Sequence, residues 1–407
     1  MRWLLALFLL PSPAALLAAE SPARLVVISI DGLDYRFLRD ADRLQIKIPV
    51  IRKLMARGAV ADGVIDAAPT DSWPAITTLV TGVAPVQHGV TRNDRLDQSS
   101  AVPTLWQAAA AAHRKTVLLN WPATQTASGD FVCPPVWEKP GQSAIPFDPM
   151  AQQCTAGLVN RVAGVYPRFT KTLWNDESAM LALDYLLQSE KPGLSLVQLS
   201  DLDAEEHETG ALSIYSREIL ENDDELLGQM LPHLPPHTVL AIVSGNGYET
   251  EEHVVRPRVL TGSSAVEVKF GLIGTADPQV AATLRRLLPI KKNGLAREVP
   301  AAELKRYAPE LKNWVAAFST LPGYIAVEDS HGPAVGPGNY KGVHGLWPAR
   351  PNYRSVFIVS GDGIRPIHLG EIDSLDIAPT LASILGVALP AARRQSLWPK
   401  ISAAKTR

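Results

Sequence analysis

The chain carries almost no charge imbalance: 39 Lys and Arg stand against 41 Asp and Glu in 407 residues, a formal net charge of −2. That argues against nucleic acid or an anionic membrane as a partner, and no Lys- or Arg-rich block appears along the chain. Any phosphate chemistry must therefore use localised charge such as metal ions. Cysteine is nearly absent, with two residues, which excludes a disulfide-framework fold. Cys133 and Cys154 sit near each other in loop-like, proline-containing stretches. One local disulfide in an oxidising compartment suits them, and two buried thiols are the other reading. Long apolar runs are missing: past the N-terminus no stretch approaches ~18 uninterrupted apolar residues, so no membrane span is expected beyond the leader. Internal repeats and low-complexity tracts are missing as well.

What is present is globular: 46% hydrophobic residues, with 33 Pro and 28 Gly to punctuate them. At roughly 150 residues per domain the length allows two or three units, or one large α/β domain with an inserted cap. Arg2, the apolar residues 3–10 and the small residues around Ala18 and Ala19 read as a signal peptide over 1–19. A leucine at 16 or 17 occupies the position where cleavage prefers a small side chain, so an uncleaved tether is the alternative. Either way the protein is expected to be periplasmic or secreted.

R-L-V-V-I-S-I at 24–30 is a continuous apolar, β-branched run, as in a strand buried on both faces of a parallel sheet. Similar runs recur at 116–119, 194–199, 238–244 and 355–360. Helical spacing fills the intervals 49–57, 102–112, 177–189, 212–231 and 377–385. The alternation predicts a three-layer α/β/α fold with a mainly parallel sheet, whose ligands gather at the carboxyl ends of the strands. The rhythm breaks over 249–338, which reads as a small inserted α+β cap, so the core spans 20–248 and 339–390, with a tail at 391–407.

Polar groups follow the apolar runs. P-T-D-S-W-P-A-I-T-T-L-V-T-G, from Pro69, puts Ser72 ahead of a helix expected to begin at Pro74 and to end by Gly82. Ser72 there is either an N-cap or a nucleophile at an anion-binding helix end. Asp31 follows the first run and either caps a turn or binds a ligand. Asp203 and His207 are four residues apart, hence on one helical face able to bite one ion, unless D-L-D-A-E-E is only a solvated face. His344 in G-V-H-G could complete a zinc site or be a hydrogen-bonded loop histidine.

Taken together, D-G at 31–32, P-T-x-S-x-P with T-L-V-T-G and H-G-V, D-x-x-x-H-x-x-G at 203–210 and H-G at 344–345 resemble the type I phosphodiesterase/nucleotide pyrophosphatase family of the alkaline phosphatase superfamily. The resemblance runs from about residue 24 to 389. It implies that Ser72 is the nucleophile and that Asn93 helps hold a phosphate oxygen. It further implies that Asp203, His207 and His344 bind one Zn²⁺, while Asp31 and Ser72 supply half of a second site. The implied substrate is a small phosphate ester such as a nucleotide. One block departs: where the family has S-D-H-G, this chain has S-G-N-G, so Gly245 and Asn246 stand where Asp and His would complete the second site. Glycine offers no ligand atom and an amide oxygen suits zinc poorly. The expectation is therefore an exported phosphoric ester hydrolase with a degraded second metal site. The rival is an inactive relative that keeps the fold and one metal as a binding or envelope-associated protein. Asp34, Asp71, Glu249, Glu251, Glu252 and His253 are candidates to compensate. A sulfatase-type reading lacks its arginine after the Ser-x-Pro.

Overall fold

The structure, a computed structural model, describes residues 24–93, 95, 97–136, 145–169 and 173–403. The leader expected at 1–19 lies outside the described residues. The elements of the core follow in the order β1 (Arg24–Ile30), α1 (Pro49–Arg57), β2 (Ala59–Val60), α2 (Ser72–Thr81), α3 (Leu105–Ala111), β3 (Thr116–Leu119) and β4 (Phe131–Cys133). They continue with α4 (Asp176–Ser189), β5 (Leu194–Leu199), α5 (Asp201–Thr209), α6 (Ile214–Met230), β6 (Thr238–Val243), β7 (Phe357–Gly361), β8 (Ile367–His368) and α7 (Ile377–Leu385). The eight strands make one sheet in the order β8-β2-β7-β6-β1-β5-β3-β4.

Successive side chains of a strand point to opposite faces, and β1 shows what that demands here. Val26, Ile28 and Ile30 pack with Leu183 and Leu186 of α4 and Leu220 and Leu227 of α6. Leu25 and Val27 pack on the other side with Ile76 and Leu79 of α2, Leu105 of α3 and Leu381 of α7. Both faces are dry, so the run is continuously apolar, and each such side chain contributes roughly 1.5–3 kcal/mol. The result is the expected three-layer α/β/α arrangement.

Local chemistry sets the element ends. α3 begins at Leu105, later than the spacing suggested, because Thr104 and Gln107 close a capping box. Gln107 N–H donates to Thr104 Oγ1 and Thr104 N–H donates to Gln107 Oε1. α6 begins after Ser213, whose Oγ accepts from Ser216 N–H at 3.0 Å. The short β2, β4 and β8 were not foreseen, since two or three residues carry no periodicity. Cys133, at the end of β4, is bridged to Cys154.

Between β6 and β7 the strands Glu267–Lys269, Leu272–Thr275, Ala316–Thr320 and Leu295–Glu298 pair in that order into an antiparallel sheet. The helix Pro278–Leu287 packs on it through Leu284, against Ile273 and Phe318. Asp277 caps this helix, accepting from Gln279 N–H at 2.8 Å.

One topological detail positions the site. β1 runs parallel to β5 and β6, whereas β7 runs antiparallel to β6, with Phe357 opposite Val243. The chain entering β7 therefore arrives at the same edge where β1, β5 and β6 end.

Candidate metal centre and active site

α5 carries Asp203 and His207 one turn apart. Its start is fixed by Asp176 of α4, whose carboxylate accepts from Ser200 N–H at 2.7 Å and Asp201 N–H at 3.1 Å. Gly32 (φ +83°) lets the helix lie against the turn after β1: a Cβ there would sit 3.0 Å from Asp203 Cα. His344 comes in on the loop that leads to β7. Ligand atoms of Asp203, His207 and His344 all lie within 4.8 Å of one another. Asp203 Oδ2 is 3.7 Å from His207 Nε2, and Oδ1 is 3.6 Å from His344 Nε2. His207 Nδ1 is 3.0 Å from the Gly342 carbonyl, which places its hydrogen on Nδ1 and leaves Nε2 free to bind metal. Burial holds His344 below the usual imidazole range, favouring the neutral form that ligates. Two imidazoles and a carboxylate fit a zinc site with an open position.

Tyr248, which no feature of the sequence marked, lies against this trio. It is fully buried, and its hydroxyl donates to Asp203 Oδ1. Burial, then the charge of Asp203, pushes its phenol well above the ordinary range.

Ser72 is not the N-cap of its helix. α2 starts at Ser72 itself with Asp71 as the capping residue, two residues earlier than Pro74 suggested. The Asp71 side chain makes no capping bond. Instead Asn93 Oδ1 accepts from Trp73 N–H at 2.9 Å. Asn93 thus spends its oxygen on the helix end rather than leaving its whole amide for phosphate. Because Pro74 has no N–H, two of the first three helical donors are unavailable to an anion. Ser72 is 4% exposed, and its hydroxyl lies against the Asp31 carboxyl. Asp31 Oδ2 also accepts from Gln198 Nε2 at 2.8 Å. Burial chiefly, and Asp203 secondarily, hold Asp31 well above the usual carboxylate range. Apart from each other and Gln198, these two buried side chains have no strong polar partner, which leaves lone pairs for a ligand.

The sequence profile of the type I phosphodiesterase/nucleotide pyrophosphatase family matches residues 25–323. The chain belongs to that family. His344 lies beyond the matched stretch and joins the site through the fold alone. No curated protein sequence matches the chain. Among solved structures it is similar to murine ectonucleotide pyrophosphatase/phosphodiesterase 5. One such structure is an inactive threonine-to-alanine variant in complex with AMP, at 15% identity and a TM-score of 0.62, covering 93% of this chain and 100% of that one. The human counterpart is 17% identical with a TM-score of 0.61, covering 94% and 100%. These likenesses show the alkaline-phosphatase-type fold.

Family membership sharpens the meaning of Gly245 and Asn246. Both follow β6 at the carboxyl edge, where the second metal position would be completed. A side chain on Gly245 would be crowded, since a Cβ there would lie 3.0 Å from Ala75 Cβ and from Ile76 Cδ1. Asn246 is fully buried with both amide atoms unpartnered. Asp31 and Ser72 with one amide do not make a zinc donor set. Nor do the neighbouring acids compensate. Asp34 accepts from Arg36 Nε at 2.9 Å and Tyr248 N–H at 3.1 Å. Glu249 accepts from Gly323 N–H at 3.0 Å and faces Arg350 at 3.7 Å. Glu251 accepts from Asn339 N–H at 3.1 Å, and the His253 ring lies 4.4 Å from that of Tyr324. Asp71 reaches only the neighbourhood of the first site, 4.0 Å from His344 Nδ1.

Proposed function

We propose that the protein is an exported phosphodiesterase/pyrophosphatase-type hydrolase that cleaves small phosphate esters such as nucleotides. It would hold one zinc at Asp203, His207 and His344 and use Ser72 as nucleophile. The observation that carries this reading is the buried Ser72 hydroxyl against the Asp31 carboxyl, a base placed next to a nucleophile, at the end of the sheet where the three ligands converge. Export rests on the leader read from residues 1–19.

Ser72 Oγ attacks phosphorus, the bond to the leaving alkoxide or phosphate breaks, and a phosphoserine forms. Water then attacks phosphorus, the Oγ–P bond breaks, and Ser72 recovers its proton. Asp31 is placed to take the hydroxyl proton, and the dipole of α2 favours charge building near Ser72. A bound zinc supplies Lewis-acid stabilisation of phosphoryl oxygens.

Gly245 and Asn246 support a second reading, a non-catalytic family member that binds one metal. Elemental analysis combined with turnover of a chromogenic phosphodiester and monoester separates the two. For the hydrolase, wild type carries one zinc and turns over, while Ser72→Ala keeps the zinc and loses on the order of 10³-fold or more in rate. Activity that survives Ser72→Ala overturns the nucleophile. One tightly held zinc without turnover on a broad ester panel establishes the binding protein instead.

A further inference from the structure

Most buried polar groups near the site are either spent on the fold or unpartnered. Tyr248 is different, because its hydroxyl is committed to a metal-ligand candidate. We propose that Tyr248 is a positioning residue of the metal centre: its hydroxyl holds Asp203 by Oδ1 and so fixes the direction in which the carboxylate faces the ion. The inference rests on the metal site at Asp203, His207 and His344 proposed above.

Three observations meet at this residue. The hydroxyl donates to Asp203 Oδ1 and also lies 3.3 Å from the Asp203 carbonyl, so it touches both the side chain and the backbone of the ligand. The phenol ring stands edge-on to both histidines, with centroids 5.4 Å from His207 and 5.3 Å from His344. The backbone of Tyr248 is itself clamped: its N–H donates to Asp34 Oδ2 at 3.1 Å, and its carbonyl accepts from the Arg36 guanidinium. Arg36 in turn is fixed on Asp34 through Nε at 2.9 Å. A side chain anchored at its backbone, walled by the ligand rings and bonded to the carboxylate has little freedom to move. The Asp203 carboxylate is thereby held with Oδ1 towards Tyr248 and His344 and Oδ2 towards His207. A partner outside the coordination sphere that orients a ligand in this way typically contributes 10–100-fold to metal affinity.

The position matters because this chain lacks the usual residues at 245 and 246. With only the one zinc proposed above, the geometry of Asp203 would depend on groups of the protein. Tyr248 lies two residues after Asn246, so the same segment supplies the hydroxyl.

The test compares full-length wild type with Tyr248→Phe, which keeps the ring and removes only the hydroxyl. Zinc affinity is measured by competition with a chromophoric chelator, and the cobalt-substituted proteins are compared by visible absorption. Loss of the hydroxyl is expected to weaken zinc binding about 10–100-fold. It should also shift and weaken the cobalt bands as Asp203 loses its fixed orientation. A purely structural role would lower the melting temperature of the metal-free chain without altering the cobalt spectrum. Equal zinc affinity with an identical cobalt spectrum overturns the proposal for Tyr248 while leaving the zinc site standing. A wild type that binds no zinc removes the metal reading itself. Tyr248→Met, flexible and without a hydroxyl, repeats the comparison if the phenylalanine chain does not fold.

Discussion

A Cβ built on Gly245 would lie 3.0 Å from the Cβ of Ala75, so the start of α2 and the loop after β6 share a space with room for one methyl group. Relieving that contact would need backbone movement, because neither atom can rotate away. The crowding extends to Ile76, whose Cδ1 is also 3.0 Å away but sits at the end of a flexible side chain. The bare glycine at 245 and the small residue at 75 are thus one packing solution.

Restoring the missing ligands tests this directly. Gly245→Asp with Asn246→His is expected to raise the metal content from one to two per chain, at a cost of about 1–3 kcal/mol from overpacking. Adding Ala75→Gly should recover part of that loss. Elemental analysis and denaturant unfolding give both numbers, and an unchanged metal count would show that these two positions are not second-site ligands.

His88 gives a pH dependence of known sign. Val90 N–H donates to its Nδ1 at 3.2 Å, so Nε2 carries the hydrogen and faces Thr78 Oγ1 of α2 at 3.1 Å. Thr78 Oγ1 then donates to Pro74 carbonyl at 3.1 Å, tying the ring to the first turn beyond Ser72. Burial lowers the imidazole pKa to about 4. Between the unfolded value near 6.5 and that folded value only the unfolded state takes up the proton, so stability falls as pH falls through this window. From pH 7 to pH 5 the contribution is about 2 kcal/mol. Urea unfolding at the two pH values should show that loss in wild type and a smaller one in His88→Gln.

Glu206 slopes the opposite way. It is fully buried, with Oε1 accepting from Leu212 N–H at 3.0 Å and Oε2 unpartnered. Burial, followed by the nearby Asp34 and Asp203, raises its pKa well above the ordinary value. Above pH 4.5 the folded chain retains a proton that the unfolded chain releases, so stability drops as pH rises towards the raised value. Glu206→Gln should therefore stabilise the metal-free chain more at pH 8 than at pH 5 in thermal melts. An equal gain at both would show that Glu206 ionises freely in the fold.

The bridge between Cys133 and Cys154 closes a loop with a sequence separation of 21. Cys133→Ser with Cys154→Ser should cost about 2–4 kcal/mol, read as a lower denaturant midpoint, with a slope that rises as the unfolded chain loses its cross-link. Reducing wild type should reproduce the shift.

Much of the architecture was written locally. β1, β5 and β6 are legible because a strand dry on both faces must be apolar throughout, and the four-residue spacing of Asp203 and His207 is a helical property. Ser72 was legible only in part. Pro74 suggested where the helix should start, but the true start follows from Asn93, twenty-one residues further on, taking the Trp73 N–H. No local rule reports such a bond. The compensating acids misled for the same reason: Asp34 and Glu249 carry the right chemistry, but their partners Arg36, Tyr248 N–H, Gly323 N–H and Arg350 have already claimed them.

The sequence by itself determined the layered α/β fold and the family, because composition, periodicity and motif order are properties of the chain. Only the tertiary structure decided that His344 joins Asp203 and His207, since an antiparallel β7 must begin where the parallel strands end. It also decided that Tyr248 grips Asp203 and that Ala75 crowds Gly245. Those are contacts between segments far apart in sequence, and packing alone brings them together.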